Sequence, residues 1–193
     1  CVPPRTAAIA SKAVRTTFGT YSPDLEHLER AADDHKYGRI SDAPFLEVTI
    51  PSMIDRTLTP EGTHVVSVLF HSAPYRLRDG GWDGGARDHV GDLVLKTLEE
   101  HAPGLSDRVV ARQVLGPEDL EREFALTEGC VLHAEPGLDQ FFAWRPLLSH
   151  ARYRFAIPGL YLGGSGAHPG GGITGAPGAN AARRVLADLK RGR

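Results

Sequence analysis

The sequence has few cysteines, almost no charge imbalance and no long apolar run. Its two cysteines, Cys1 and Cys130, are too few for the disulfide framework of a small secreted domain, which favours a reducing, cytoplasmic compartment. The net charge is −2 at pH 7 and no basic cluster forms, so nucleic acid is not expected as a partner. No apolar run approaches the ~20 residues that a membrane-spanning helix needs, so we expect no transmembrane segment.

An initiator methionine is also absent, because the chain opens with the letters CVPPRTAAIA. We interpret the sequence as part of a longer protein. Its 193 residues are enough for one large domain or for parts of two.

Helical and strand periodicities both occur, which predicts a chain of mixed α/β class, of the α+β type. Apolar residues alternate in 45–50, and 63–73 is rich in β-branched residues, so we expect these segments to pair as antiparallel strands. Apolar residues then recur at helical spacing from Val90 to Leu98, after a loop over 75–89. The other predicted elements are helices over 22–38, 116–126 and 179–189, and strands over 108–115 and 158–163.

Two of these helices carry specific expectations. Ser22 is expected to cap the helix over 22–38, since a hydroxyl can accept from a free amide of the first turn. In the last helix, Pro177 is tolerable only because it lies so early. The residues expected to face inward in that helix are Ala182, Val185, Leu186 and Leu189.

Nine glycines lie in the stretch GLYLGGSGAHPGGGITGAPGANAARRVLADL, Gly159 to Leu189. A strand, a glycine-rich turn and a helix N-terminus together form a recurrent ligand cradle, because unpaired amides and the helix dipole favour negative charge there. The alternative is a glycine-rich surface loop that precedes a helix. The spacing of GSGAHPG is one residue too long for a dinucleotide fingerprint, and no Lys-Ser/Thr follows as in a P-loop.

This closing stretch resembles the C-terminal flavin motif of the phytoene desaturase and amine oxidase superfamily of FAD-dependent oxidoreductases. The resemblance runs from about Phe18 to Leu189. It includes the stretches LEVTIPSMIDRTLTPEGTHVVS, RQVLGPEDLEREFALTEG and LDQFFAWRP. The terminal motif is quite specific, whereas the others are specific in combination.

The resemblance implies the C-terminal portion of an FAD/NAD(P)-binding fold, with an antiparallel-sheet substrate domain. Residues 1–154 would belong to the substrate-side domain, and residues 155–193 would supply the strand and helix that complete the FAD-binding domain. The N-terminal dinucleotide motif would lie upstream. The implied chemistry is hydride transfer through FAD from a small organic substrate, in the cytoplasm or, as for animal relatives, in mitochondria.

The resemblance also implies which residues would contact FAD. Gly163, Gly164 and Ser165 would approach the ribityl chain and pyrophosphate. Gly171, Gly172, Ile173 and Thr174 would lie along the flavin ring, with amides at the helix start facing its pyrimidine edge. Many superfamily members carry an acidic residue where this chain has Ser165.

Several side chains near this motif have two interpretations. His168 could contact flavin or act as an acid–base group, or it could be a hydrogen-bonded loop histidine. Phe141, Phe142 and Trp144 could form an apolar wall of the substrate pocket, although base rates for large aromatic residues favour ordinary core.

Arg145 and Asp139 are expected to form a buried structural pair rather than a substrate clamp. Cys130, His133 and Glu135 are too close together, with no partner of similar spacing elsewhere, to predict a metal site, so no metal is expected. A competing function is a non-catalytic interaction module. A small NAD(P)-binding protein that uses GSGAHPG is disfavoured, because no second strand follows to carry the acidic residue that binds the ribose.

Overall fold

The computed structural model describes residues 8–10, 18–133 and 137–192, which contain α-helices and short antiparallel strands. The chain divides into two compact units, Cys1–Leu120 and Glu121–Arg193. Six strands are described: β1 (Ala8–Ala10), β2 (Phe18–Tyr21), β3 (Leu46–Thr49), β4 (Thr63–Val65), β5 (Ser67–Phe70) and β6 (Val109–Ala111). The four described α-helices are α1 (Leu25–Lys36), α2 (Gly84–Glu99), α3 (Pro117–Phe124) and α4 (Ala176–Lys190). This content confirms the α+β class.

The strands of the first unit form two three-stranded antiparallel sheets, ordered β4-β1-β6 and β2-β3-β5. The predicted pairing of 45–50 with 63–73 is confirmed, since Leu46 lies opposite Phe70 in the β3–β5 ladder. The second segment was predicted as one strand, but it is interrupted at Val66. Its first half, β4, pairs with β1 in the other sheet.

The core of this unit follows the period of two. Leu46 is completely buried, and Ile50 and Val66 form a cluster on which further apolar side chains pack. Those side chains are Val48, Met53, Val68 and Leu105. Ser52 is also buried beside this cluster, and its hydroxyl accepts from the amide of Val65 at 3.0 Å, so its polar atom is satisfied.

The helices begin at aspartates. The expected cap Ser22 is wrong: Asp24 caps α1, with its Oδ1 accepting from the amide of His27 at 2.8 Å. Helix α2 begins at Gly84, inside the segment predicted as a loop, because Asp83 accepts from the amide of Ala86 at 3.0 Å. A carboxylate at this position satisfies a free amide and complements the helix dipole, which is enough to start a helix in a glycine-rich sequence.

Trp82, which lies just before α2, is buried and contacts both the loop at Pro74 and Gly116, the residue before α3. Its Nε1 donates to the carbonyl of Pro74 at 2.9 Å. Its ring lies so close to Gly116 that a Cβ on that glycine would be 2.7 Å from Trp82 Cε3. One turn further on, Asp119 accepts two hydrogen bonds from Arg87 at 2.8 and 3.0 Å. Position 116 therefore requires glycine because the Trp82 ring leaves no room for a Cβ, and not because of a positive φ.

The second unit is built from short 3-10 turns followed by α4. The prediction of a strand over 158–163 is wrong. Among the described residues this segment forms a single antiparallel bridge, between Arg154 and Tyr161. The chain reverses at 156–159, so the two arms are too short for a ladder. The predicted domain boundary at 154/155 stays a prediction.

Helix α4 begins three residues before the predicted start, with Pro177 in its first turn as expected. The predicted inward face is wrong. Pro177, Ala181 and Asp188 are buried, whereas three of the four predicted residues, Ala182, Leu186 and Leu189, are exposed and Val185 is half-buried. The reason is close backbone packing: a Cβ on Gly163 would lie 3.4 Å from Ala181 Cβ and 3.6 Å from Gly178 Cα. Small residues allow this approach, so the small-residue face of the helix turns inward.

None of the described helices combines the length and the apolar composition that crossing a bilayer requires.

Candidate functional site

The glycine-rich turn before α4 is held by its own backbone. The amide of Ala167 donates to Gly164 O at 2.9 Å, and the amide of Gly170 donates to Ala167 O at 2.7 Å. Gly170 and Gly172 adopt φ values of +92° and +86°. Side chains rarely adopt this conformation, so the path of the turn depends on these two glycines.

One stretch of the turn, 171–174, is open to solvent. All four residues are exposed, and Ile173 projects completely from the surface. Within the described residues, no backbone carbonyl or side chain accepts from the amides of this stretch. A Cβ on Gly172 would meet only Thr174 Cγ2, at 3.8 Å, and one on Gly175 would meet nothing within 4 Å. Free amides and bare main chain therefore lie directly before the N-terminus of α4.

The predicted cofactor residues differ in how closely neighbouring atoms approach them. Gly163 faces α4, as described above, while Gly164 has no other atom within 4 Å of where a Cβ would be. The carbonyl oxygen of Ser165 accepts hydrogen bonds from Arg145, and the Ser165 hydroxyl has no hydrogen-bond partner among the described residues. A Cβ on Gly171 would lie 3.0 Å from Leu132 Cδ2, so this glycine is needed where the chain passes Leu132.

His168 and Phe142, predicted separately as acid–base and pocket residues, are brought together. Their ring centroids lie 5.4 Å apart at an interplanar angle of 35°. His168 Nδ1 is buried without a hydrogen-bond partner in the described chain. Phe142 has a φ of +50°, which is strained for an aromatic residue. A buried nitrogen without a partner and a strained neighbour are features that cluster at functional sites.

The aromatic segment is not ordinary core, so the interpretation favoured by base rates is wrong. Phe141, Phe142 and Trp144 are 43%, 72% and 53% exposed. Phe141 lies 6.5 Å from Phe142, ring centroid to ring centroid. Trp144 has no ring contact with another described aromatic side chain. Phe142 and Trp144 lie in a short 3-10 turn, and Phe141 directly precedes it.

Arg145 does not pair with Asp139, which corrects the predicted structural ion pair. Its guanidinium donates instead to the carbonyl oxygens of Leu132, at 2.8 Å, and Ser165, at 2.7 and 3.1 Å. Asp139 folds back towards Gly137, where its Oδ1 lies 2.7 Å from the position of a Cβ. Arg145 is only 5% exposed, and its hydrogen bonds to Ser165 O hold the glycine-rich turn in place.

The metal interpretation receives no support in the described part of the chain. No group of three or more histidine, cysteine, aspartate or glutamate residues there could hold a metal ion. Cys130 is a free thiol and is half-buried. Glu135, the third residue of that weak cluster, lies outside the described residues.

No protein-family model matches the chain. Curated relatives do match it. It is 46% identical over 164 residues to "Pyridine nucleotide-disulfide oxidoreductase domain-containing protein 2" of Rattus norvegicus and of Mus musculus, covering 84% of this chain and 28% of each relative. It is 26% identical over 140 residues to "4,4'-diapophytoene desaturase (4,4'-diaponeurosporene-forming)" of Staphylococcus aureus (strain MRSA252), covering 70% of this chain and 27% of the relative.

The chain belongs to the flavoprotein oxidoreductase family. It spans just over a quarter of the length of the curated relatives that it matches.

A flavoprotein oxidoreductase needs a surface on which a planar, partly anionic cofactor can rest, and the open stretch fits that requirement. Its four amides are free to donate within the described structure, and glycine main chain allows close approach. The dipole of α4 favours negative charge in front of its first turn. Pro177 removes one amide of that turn, so the donors come mainly from the residues before the helix.

Sequence reasoning missed the side chains that hold this turn in place. The Tyr153 hydroxyl donates to the carbonyl of His168 at 2.9 Å and accepts from Asn180 Nδ2 at 2.9 Å. It therefore links the turn to the second turn of α4. The spacing of Tyr153 and Asn180 from the motif gives no signal of this contact.

Asp188 is the other residue that sequence reasoning missed. Its Oδ2 accepts from Tyr161 at 3.1 Å and Arg184 Nε at 3.2 Å, and lies 3.5 Å from Arg154 Nη1. Burial acts to raise the pKa of Asp188, but the Tyr161 hydrogen bond and the two arginine charges outweigh it and hold the pKa below its ordinary value. Its position on the stripe of Pro177 and Ala181 was a usable signal, because a carboxylate on a buried stripe requires partners.

Proposed function

We propose that the protein is an FAD-dependent oxidoreductase that removes a hydride from a small organic substrate. The observation that carries the proposal is the open glycine-rich stretch 171–174, whose free amides precede the N-terminus of α4. The family relationship supports it, because the matched relatives are named as an oxidoreductase-domain protein and a desaturase. The cofactor-contacting residues in this proposal are Gly163, Gly164, Ser165, Gly171, Gly172, Ile173 and Thr174.

FAD, when bound, would supply the redox chemistry by accepting the hydride. The residues of this chain bind and orient. The backbone amides of Gly172, Ile173 and Thr174 would donate hydrogen bonds to the cofactor, and the α4 dipole would stabilise negative charge that develops on reduction. In this proposal residues 155–193 complete the FAD-binding domain, and residues 1–154 belong to the substrate side.

His168 and Phe142 would define the substrate side of the site. The exposed face of Phe142 offers an apolar surface that excludes water from the reacting groups. Because His168 Nδ1 is buried, proton exchange with a substrate would take place at Nε2. The contact between the two rings holds the imidazole in one orientation.

The test uses the protein as its gene encodes it, with whatever sequence flanks these residues. The purified protein should show flavin absorption bands, and its apo form should bind FAD in a fluorescence titration. Gly172→Val should weaken FAD binding by about tenfold or more, because a side chain would occupy the cofactor surface; tenfold corresponds to about 1.4 kcal/mol.

Gly62→Val is the matched control for that variant. Gly62 has a φ of +82° and open space around its Cβ position, much as Gly172 has, so both substitutions introduce similar backbone strain. Equal loss of FAD affinity in the two variants would contradict the assignment of the turn. A folded wild-type protein that binds no flavin would contradict the whole proposal.

A second candidate function is a non-catalytic interaction module. The exposed aromatic side chains favour it, because contiguous exposed apolar surface often marks a protein-binding site. A colourless, fully folded protein would support this alternative.

A further inference from the structure

We infer that Arg145 binds an anionic group of the cofactor through its Nη1, beneath the glycine-rich turn. The inference rests on the proposed function, since it assigns a further residue to the same site. It concerns a side chain for which the sequence predicted an ion pair that does not form.

The first step is the state of the guanidinium. Arginine keeps its charge at any physiological pH, and Arg145 is only 5% exposed. Among the described residues no carboxylate lies within 4 Å of it. Arg154 and Arg184 differ from Arg145 in this respect, because both share Asp188. Arg145 is thus a buried cation without a counter-charge in the described chain.

The second step is the use of its nitrogens. Nη2 donates to Leu132 O and Ser165 O, and Nε donates to Ser165 O. Nη1 has no hydrogen-bond partner among the described residues, yet it is not one of their fully buried nitrogens that lack a partner. This nitrogen therefore keeps some exposed surface, although the residue as a whole is buried.

The third step is the position of the charge. A Cβ on Gly170 would lie 3.2 Å from Arg145 Nε and 3.4 Å from Cζ, so the main chain of the turn rests on the guanidinium. Ser165, at the other end of the turn, accepts two of its hydrogen bonds. The charge lies next to the turn that the proposed function assigns to FAD.

Carbonyl dipoles satisfy donors but carry no net charge, and a buried charge without an opposite charge is strongly unfavourable. An anion from outside the described residues would remove this cost. FAD has two sources of the same chemistry, an anionic oxygen or nitrogen: its diphosphate, and its ring when reduced.

The experiment compares Arg145→Gln, which removes the charge but keeps a donor, with Arg145→Lys, which keeps the charge but cannot bridge both carbonyls. Arg152→Gln is the matched control, because Arg152 is exposed in the same unit. For each variant of the gene-encoded protein we measure the affinity of the apo form for FAD and for riboflavin, which lacks the diphosphate. We also measure the reduction potential of the bound flavin and the thermal unfolding temperature.

Two results would support the inference. If the diphosphate is the partner, Arg145→Gln weakens FAD binding by about tenfold and leaves riboflavin binding unchanged, as expected for losing a charge-assisted hydrogen bond. If the reduced ring is the partner, the reduced flavin binds about tenfold more weakly relative to the oxidised flavin, which lowers the two-electron potential by about 30 mV. In either case Arg145→Lys should lose less than Arg145→Gln.

Two results would overturn it. The first is an Arg145→Lys loss as large as that of Arg145→Gln in every readout, which would assign the residue to bridging carbonyls alone. The second is a flavin affinity and potential for Arg145→Gln equal to those of Arg152→Gln, together with a lower unfolding temperature. If Arg145→Gln does not fold, Arg145→Lys decides alone: FAD affinity within about threefold of wild type supports the inference, and a tenfold loss overturns it.

Failure of the proposed function gives a different result. In that case the wild-type protein itself binds neither FAD nor riboflavin. Failure of the Arg145 inference is instead seen in a wild-type protein that binds flavin normally.

Discussion

Different kinds of internal contact stabilise the two units of the chain. In Cys1–Leu120, the buried apolar residues include Leu46, Trp82 and Val90. In Glu121–Arg193, the buried apolar side chains of the described chain are all small: Ala167, Pro177 and Ala181. The first unit rests on apolar burial, and the second on polar contacts.

The second unit nevertheless has abundant large apolar side chains, and most of those that the described structure exposes lie in it. Arg145, Asp188 and Tyr153 fix its turns by hydrogen bonds instead. An apolar composition is therefore not sufficient to form a core. A unit whose backbone is anchored by polar groups keeps its apolar surface available for a cofactor, a substrate or another segment.

The largest effect is expected in the first unit, from Leu46→Ala. Leu46 is completely buried in β3, so the loss of its side chain and the resulting cavity should cost about 2–5 kcal/mol of unfolding free energy, measured by urea denaturation. Leu69→Ala on the neighbouring β5 is the control, since Leu69 is about half exposed. Equal unfolding midpoints for the two variants would contradict the conclusion that apolar burial stabilises the first unit.

An intermediate effect is expected from Asp188→Asn, and it should depend on pH. The folded state lowers the pKa of Asp188, so its stabilising contribution is present above the unfolded pKa of about 3.9 and is lost as the pH falls through the folded value. The groups that face it are Tyr161, Arg154 and Arg184.

The measurement for Asp188 is thermal unfolding from pH 7 to pH 3. The wild-type protein should be clearly more stable than the variant at pH 7, and the difference should shrink towards pH 3. A difference that stays constant over this range would show that the carboxylate charge contributes nothing to the second unit.

The smallest effect is expected from Phe142→Ala, with a change in unfolding free energy below about 0.5 kcal/mol. The side chain is mostly exposed, so its removal leaves no cavity. Trp144→Ala, at a similar exposure, should behave in the same way by urea denaturation. A loss as large as that for Leu46→Ala would mean that these aromatic residues do form a core.

The fold of the first unit could largely be predicted from the sequence, because its elements carry clear periods. The alternation in 45–50 predicts one face with Leu46, Val48 and Ile50; Leu46 and Ile50 are buried, and Val48 is half-buried against the cluster. The caps were harder to place, because Ser22 and Asp24 are both good caps and the sequence alone does not choose between them. The break at Val66 depends on which sheet each half joins, and periodicity carries no information on that.

The candidate site could be predicted only in outline. The glycine turn before α4 follows from composition, whereas the face that α4 buries depends on the close approach of Gly163 to Gly178 and Ala181. Helical patterning favoured Leu186 and Leu189 as inward residues, because it assumes that large apolar residues find a partner within the chain. The hydrogen bonds of Arg145 to carbonyls were not predictable, since main-chain acceptors are present everywhere in a sequence.

The Tyr153 hydroxyl has a consequence for the timing of motions near α4. The same oxygen donates to the turn at His168 and accepts from the helix at Asn180. Lifting the turn or fraying the helix up to Asn180 breaks one bond of this oxygen and loosens the geometry of the other. The two openings are therefore coupled, and amide protons on both segments should exchange with solvent as one cooperative unit.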